Sequence, residues 1–325
     1  MKWTELVGQE KAKSRLDFHF EAAKVGKEAL PSFMLCGPRG FGKTCIGEAF
    51  GLRVKDMTGG TKRFYSLNCA SVKNLKQFWH SIVVPVINDR DVTILFDEAS
   101  ELPMDVTMAI LTMINPNPNN RNNYTYEDMT IDVDLNRQSF MFATTEPHKV
   151  FHALMNRCRR IDLEEYNYSD LNTILKRNAK AITFAPHVLD QISPTLRGTA
   201  RQAVMMAQDI RTYLAPLKRA SFTMGDWDKL SHQLDILPLG VNRMELQVLR
   251  VLQLRKDCSL TRIAATLGLT PAAVQRDYEL YLQKHGLMEI TTTGRNLTPQ
   301  GYEYLKAIDK LLAEGKARGL TEPPK

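Results

Sequence analysis

Gly37-Pro38-Arg39-Gly40-Phe41-Gly42-Lys43-Thr44 follows an apolar run, Phe33 to Leu35, and leads into a helical pattern. G-x-x-x-x-G-K-T between a strand and a helix is a phosphate-cradling loop. Its glycines let backbone N–H groups approach phosphate oxygens with no Cβ in the way. Lys43 brings a point charge to the β- and γ-phosphates, and the Thr44 hydroxyl is placed to ligate Mg²⁺. Gly37, Pro38, Arg39, Gly40, Phe41, Gly42, Lys43 and Thr44, with Cys45 behind them, are the expected cofactor-binding residues. The expected ligand is a nucleoside triphosphate, ATP first.

Downstream, Val92-Thr93-Ile94-Leu95-Phe96 is an apolar strand ending in Asp97-Glu98. Beside a phosphate loop, Asp97 is expected to share Mg²⁺ with Thr44, and Glu98 to orient and deprotonate the attacking water. A second buried strand, Ser139–Ala143, ends in Thr144-Thr145. Thr145 is the first choice, and Thr144 the second, for a hydroxyl that meets the γ-phosphate or the lytic water. Asn68 ends the strand Phe64–Leu67, where it either restrains Glu98 or merely satisfies the strand end. Phosphoryl transfer builds charge on equatorial oxygens, so loose arginines matter. Arg157, in Asn156-Arg157-Cys158-Arg159-Arg160, is expected to reach a neighbouring subunit's phosphate. Arg201, in Gly198-Thr199-Ala200-Arg201, is expected to reach the phosphate of its own subunit. Surface ion pairing is the competing reading for each. His148 and His152 lack the acidic companion of a zinc motif and read as a loop and a helix start.

Around these motifs the chain alternates. Ser32–Cys36, Phe64–Leu67, Val92–Phe96 and Ser139–Ala143 read as strands, most of them apolar on both faces as buried parallel strands should be, and Gln9–Lys24, Lys43–Leu52, Val72–Val84 and Val106–Ile114 as helices. This is the α/β pattern of a three-layer nucleotide-binding core. Asn115–Asn123 is turn chemistry, and Tyr124, Tyr126, Ile131, Val133 and Leu135 then recur mostly at even spacing, as in a hairpin projecting from the core. From Ser169 to about Leu230 the pattern is helical without a strong strand, and Leu237-Pro238-Leu239-Gly240 reads as a linker. Met244–Leu254 and Ser259–Leu267 are helices. Gly268-Leu269-Thr270-Pro271 is a turn, N-cap and N1 proline before a third helix through about His285. Met288–Thr292 and Asn296–Leu297 flank Thr293-Gly294-Arg295 as a wing, and Pro299–Leu312 closes as a helix. Helix-turn-helix plus wing is a DNA-binding shape, although such a module also docks proteins. Arg295 at the wing tip and Arg276 on the third helix are the expected DNA contacts.

The 325 residues suffice for two or three domains. The net charge of +7 permits a polyanionic partner. From Val241 onward there are 13 Lys/Arg against 9 Asp/Glu, an excess too modest to argue from alone. The five cysteines show no C-x-x-C spacing and read as reduced thiols. No apolar stretch approaches a membrane span, and the start of the chain lacks the pattern of a leader, so a cytoplasmic protein is expected.

Taken together, these residues resemble the AAA+ ATPase superfamily and, within it, the RuvB family of Holliday junction branch-migration motors. Leu6-Val7-Gly8-Gln9 is similar to the family's adenine-pocket motif, which makes Leu6 and Val7 nucleotide contacts by resemblance. Ala143-Thr144-Thr145 is similar to its sensor 1 strand end. Arg197-Gly198-Thr199-Ala200-Arg201 is similar to its sensor 2 helix, with Ala200 in place of proline. Tyr278–Leu282 and Gly294-Arg295 are similar to its recognition helix and wing. Arg39 replaces the second proline of the family's phosphate loop. Ala99-Ser100 replaces Ile-His after the acid pair. Met155 stands at the family's arginine-finger position, leaving Arg157 as the substitute, in an Asn-Arg-Cys context similar to the Ser-Arg-Cys of clamp-loader subunits. The resemblance implies an AAA+ core over 1–166 with a hairpin near 115–137, a helical lid over 167–236, a winged helix over 241–312 and a loose tail over 313–325. It also implies ATP, Mg²⁺, a homo-oligomer of hexameric size, duplex or branched DNA as substrate, and a RuvA-like or other partner protein on the hairpin, whose tip is expected to be Asn/Pro-rich. Two rivals stand beside the motor: a clamp-loader-like or initiation switch that loads another protein, and an ATP-regulated DNA-binding regulator.

Overall fold

In a computed structural model, the structure describes residues 2–55, 60 and 62–313. The expected tail lies outside them, apart from residue 313. The described chain forms two compact units, one of Met1–Ile174 with Gly198–Val204, the other of Leu175–Arg197 with the chain from Met205 onward.

The first unit is built on a parallel sheet in the order β2-β3-β6-β1-β7. Its strands are β1 (Phe33–Cys36), β2 (Arg63–Asn68), β3 (Val92–Asp97), β6 (Gln138–Thr144) and β7 (Arg159–Asp162). β1, β3 and β6 are central and apolar on both faces, as parallel strands covered by two helical layers must be. Because side chains alternate across a strand, the two faces feed different cores. Phe33, Leu35, Leu95, Met141 and Ala143 pack with Leu16, Phe20 and Phe50 from α1 (Glu10–Gly26) and α2 (Lys43–Val54). Ile94, Phe96, Phe140 and Phe142 pack on the opposite side with Phe78, Trp79 and Ile110. Phe96 and Phe142 stack at 5.1 Å between centroids.

The expected helix at Val72–Val84 is in fact two pieces. α3 (Leu75–Phe78), capped by Asn74, continues as a π-helical stretch, Trp79–Ile87, with Pro85 inside it. Proline has no N–H to give the helix ladder, and widened turns are a common accommodation. α4 (Met104–Met113) follows β3. β4 (Arg121–Tyr126) and β5 (Met129–Asp134) then form the expected antiparallel hairpin. Two expectations about it are corrected. The Asn/Pro-rich stretch lies at its base, where Asn117 Nδ2 donates to Arg121 O at 3.0 Å, and the tip is the Glu127-Asp128 turn. The hairpin is not a free projection: Ile131 and Val133 are buried, and Tyr124 and Tyr126 pack on Trp79 at 5.5 and 5.4 Å. α5 (His152–Arg157) precedes β7, a strand that sequence reading did not expect.

The chain crosses to the second unit within α6 (Tyr168–Ala179), returns at Arg197–Gly198 and crosses again within α8 (Ala200–Leu214). The second unit holds β8 (Thr183–Phe184), α7 (Val188–Ile192), β9 (Ser221–Phe222) and α9 (Met224–Gln233). β8 and β9 pair in parallel over two residues each, a short ladder inside a region expected to hold no strong strand. Three further helices follow. α10 (Arg243–Leu254) starts on an Asn242/Glu245 capping box, and α11 (Leu260–Leu267) starts on Ser259 and ends at Gly268 in the left-handed region, φ +67°. Thr270 caps the third, which runs through α12 (Pro271–Ala273), a π-helical stretch Val274–Glu279 and α13 (Leu280–Lys284). β10 (Met288–Ile290) and β11 (Arg295–Leu297) make the wing, and α14 (Pro299–Ala313) closes the domain. Leu237–Gly240, read as a linker, is instead a docked turn: a Cβ on Gly240 would collide with the Thr195 carbonyl oxygen. Among the described residues no helix is long and apolar enough to cross a membrane.

Candidate functional site

The phosphate loop runs from the end of β1 into α2, as its spacing requires. Gly40 and Gly42 take φ of +84° and +89°, conformations that a side chain disfavours. Lys43 is buried, and its ammonium donates to the carbonyls of Gly37 at 2.7 Å and Pro38 at 3.0 Å. Burial lowers its pKa, opposed by the charges of Glu98 and Asp97. Arg39 and Cys45 are exposed, Phe41 is buried, and Arg39 adds a second cation beside Lys43.

β3 and β6 are neighbours, so their C-terminal ends meet beside this loop. Thr44 Oγ1 donates to Asp97 Oδ2 at 2.7 Å. Thr145 Oγ1 donates to Glu98 Oε2 at 3.2 Å. Glu98 itself is held in the left-handed region, φ +56°, ψ +52°, an uncommon backbone state that clusters at functional sites. Thr144 is fully buried and accepts from the Glu146 amide at 3.0 Å, which leaves Thr145 as the outward hydroxyl. Asn68 accepts from the Ala70 amide at 3.0 Å and so caps the turn after β2.

Among the described residues no cluster of three or more His, Cys, Asp or Glu could hold a metal. That fits a phosphate-dependent Mg²⁺ site, where the protein gives one or two oxygens and phosphates and water give the rest. The adjoining Thr44 and Asp97 oxygens could give such a pair.

Leu6 and Val7 are half-buried at the other side of the loop, next to Gly8. There the structure adds Tyr166, which sequence reading missed. A Cβ on Gly8 would lie 2.9 Å from the Tyr166 ring, and one on Gly42 would lie 2.7 Å from its hydroxyl. That hydroxyl donates to Phe41 O at 3.3 Å, and burial raises its pKa to about 12. Tyr166 follows the unexpected strand β7, so no pattern singled it out.

The two arginines differ. Arg201 is exposed in the first turn of α8, and a Cβ on Gly40 would lie 3.2 Å from the Arg201 Cβ, so Arg201 flanks its own phosphate loop. Among the described residues no carboxylate pairs with it. Arg157 ends α5, before the start of β7, where Arg159 is in register with Phe33 at the start of β1. The phosphate loop leaves the other end of β1, so Arg157 is at the wrong end of the sheet for its own nucleotide. Its Nε donates to Asn115 Oδ1 at 3.2 Å and Nη1 to Ala153 O at 3.3 Å. Arg157 and exposed Arg159 line a cleft of about 420 Å³ with Ser32, Asn117 and Asn156. Arg160 is paired with Asp162.

In the winged helix, Arg276 is exposed on the third helix, as expected, and paired with its neighbour Asp277 at 2.7 Å. The placement of Arg295 at the wing tip is corrected. The tip is the exposed Thr291-Thr292-Thr293, and Arg295 is back in the ladder opposite Ile290. Its guanidinium turns inward onto Glu279, a carboxylate 1% exposed, at 2.9 Å.

Residues 238–306 match the family profile of the RuvB C-terminal winged helix domain. RuvB of Thermotoga maritima, described as a Holliday junction branch migration complex subunit, is 24% identical over 314 residues, covering 93% of this chain and 90% of that protein. RuvB of Thermotoga petrophila is equally similar, at 24% over the same shares. The solved Thermotoga maritima RuvB Holliday junction branch migration motor superposes with a TM-score of 0.73 at 22% identity, over 94% of this chain and 97% of that one. A mutant of the same protein gives a TM-score of 0.75 at 22% identity. The fold is thus that of RuvB over nearly the whole chain: an α/β unit with a parallel sheet, helical segments and a C-terminal winged helix.

Proposed function

We propose that this chain is an ATP-driven motor acting on duplex or branched DNA, working as a homo-oligomer of hexameric size. The observation that carries the reading is the convergence of Lys43, Thr44–Asp97 and Glu98–Thr145 on one end of the sheet. Each group has a role there. Loop amides and Lys43 bind the phosphates, with Lys43 leaving the Gly37 and Pro38 carbonyls for them. Thr44 and Asp97 would hold Mg²⁺, which would supply positive charge to the phosphates. Glu98 takes the proton of the attacking water, and Thr145 orients that carboxylate or the water. Tyr166, Leu6 and Val7 form the base side. Arg201 serves the γ-phosphate of its own subunit.

Arg157 serves a neighbour's. Its position away from the loop supports that role, because only a second copy can bring it near a γ-phosphate. The winged helix takes the DNA, with Arg276 and the wing hydroxyls as contacts. A RuvA-like or other partner protein would dock on the hairpin through its exposed tip, not through the Tyr124/Ile131 face that packs on the core.

The test is steady-state ATP hydrolysis with and without duplex DNA. Hydrolysis is expected to require Mg²⁺, to vanish in Lys43→Ala together with nucleotide binding, and to fall about 10²- to 10⁴-fold in Glu98→Gln with binding kept. Near-normal turnover in Glu98→Gln would remove Glu98 from its role. Stoichiometric rather than processive ATP use would favour the loader switch instead.

A further inference from the structure

The Arg197 guanidinium is engaged on several sides at once. Nη1 and Nη2 grip the Glu245 carboxylate at 2.9 and 2.8 Å, Nη1 also donates to Gly240 O at 3.1 Å, and the guanidinium carbon lies 3.6 Å from the centre of the Tyr281 ring. Glu245 is fully buried and also accepts from the Asn242 amide at 2.8 Å, so one carboxylate both caps α10 and receives Arg197. Tyr281, on the third helix of the winged domain, bonds in turn to Leu239 O. A planar, bidentate, stacked guanidinium is a contact that lysine cannot reproduce.

The place of this contact in the chain gives it meaning. Arg197 is the last residue before the chain returns to the nucleotide-binding unit at Gly198. Arg197 and Gly198 are consecutive left-handed residues, φ +53° and +67°, a local turn of the backbone where the chain passes from one unit to the other. Four residues on is Arg201, beside the phosphate loop. The same Ser193–Leu196 turn that precedes Arg197 meets Gly240 with no room for a side chain.

We propose that Arg197 is a positioning residue that transmits nucleotide state to the winged helix: it locks the segment entering the Arg201 helix onto α10 and the third helix. The proposal rests on the motor reading above and adds a route to it. Nucleotide engaging Arg201 pulls on a segment that cannot move without carrying the DNA-binding domain. Without the grip, the bend at Arg197–Gly198 absorbs the displacement. By linkage, the coupling is measurable at equilibrium as a difference in DNA affinity between nucleotide states.

The experiment measures duplex affinity of the full chain with a slowly hydrolysed ATP analogue and with ADP. Removing Arg197 alone would strand a buried carboxylate, so the variant of choice is Arg197→Met with Glu245→Gln, which keeps the N-terminal cap of α10. Wild type is expected to show an affinity ratio of about fivefold or more between the two states. The double variant is expected to keep its ADP-state affinity while its ratio falls to within about twofold of unity, and Arg197→Lys to fall in between. A large wild-type ratio that persists in the double variant overturns the role of Arg197 alone. A wild-type ratio of unity overturns the nucleotide-driven reading and this proposal with it.

Discussion

Arg295 and Glu279 form a bidentate ion pair inside the winged helix, Nε to Oε1 at 2.9 Å and Nη2 to Oε2 at 3.3 Å. The backbone of Arg295 is tied as well, exchanging two hydrogen bonds with Cys258 at 2.9 and 3.0 Å. The pair joins the third helix to the base of the wing and so fixes the shape of that face of the domain. Arg295→Ala should therefore lower stability by about 3–5 kcal/mol, because it leaves a buried carboxylate unpaired. Arg295→Met with Glu279→Leu should recover most of that loss in urea unfolding. In that folded double variant the salt dependence of duplex binding should be unchanged. A flattened salt slope there would return Arg295 to the DNA.

Arg276 is an exposed cation of the same helix. Arg276→Ala should weaken duplex binding uniformly across sequences and reduce the slope of log K against log salt by about one unit, if it meets one phosphate. Its pairing with Asp277 adds a second expectation: Asp277→Asn should strengthen binding. Titrations at several salt concentrations report both, and unaltered slopes in both variants would remove this helix face from the interface.

Arg157→Ala should leave ATP affinity near wild type and lower turnover on the order of 10³-fold. Mixed with Lys43→Ala subunits, it should regain activity, because one partner keeps its phosphate loop and the other its arginine. Mixed oligomers of confirmed assembly that stay inactive would contradict the trans role, and Arg159, exposed in the same cleft, would be tested next.

Lys62 gives a pH signature. It is 3% exposed, donates to Ser139 Oγ at 2.8 Å, and burial lowers its pKa to about 8 against the opposing charges of Asp91 and Asp134. Between about pH 8 and its unfolded value near 10.5 the unfolded chain holds the proton and the folded one does not. Stability from this group thus rises as pH climbs through that window, by on the order of 3 kcal/mol. Below pH 8 the cost of burying the charge is fully present. Lys62→Met should be the more stable protein at pH 7, and its margin over wild type should shrink toward pH 10. Parallel pH curves for the two proteins would show that Lys62 titrates normally.

Much of this was legible in the sequence because it depends on local pattern. The three central strands apolar on both faces, the glycine positions of the phosphate loop and the cap at Thr270 each announce themselves within a few residues. What was not legible depends on partners far along the chain. β7 is an edge strand, Arg159-Arg160-Ile161-Asp162, with one buried residue of four, so it carries no hydrophobic run. Tyr166 acquires its place only because β7 carries the chain back to Gly8 and Gly42. The inward turn of Arg295 was invisible because its partner, Glu279, is sixteen residues earlier on another element. Likewise, Pro238 and Gly240 look like linker chemistry until the turn at Ser193–Leu196 is seen packed against them.

The central claim is that ATP hydrolysis at this site moves DNA. The most direct measurement is conversion of a synthetic four-way DNA junction to duplex products by the purified chain, with Mg²⁺ and ATP, in wild type and Glu98→Gln side by side. The account predicts products from wild type only with a hydrolysable nucleotide, and none from Glu98→Gln even when it is bound to the junction. Wild-type chain that binds the junction and hydrolyses ATP steadily, yet leaves its strands unexchanged when supplied with or without a RuvA-like partner, would contradict it.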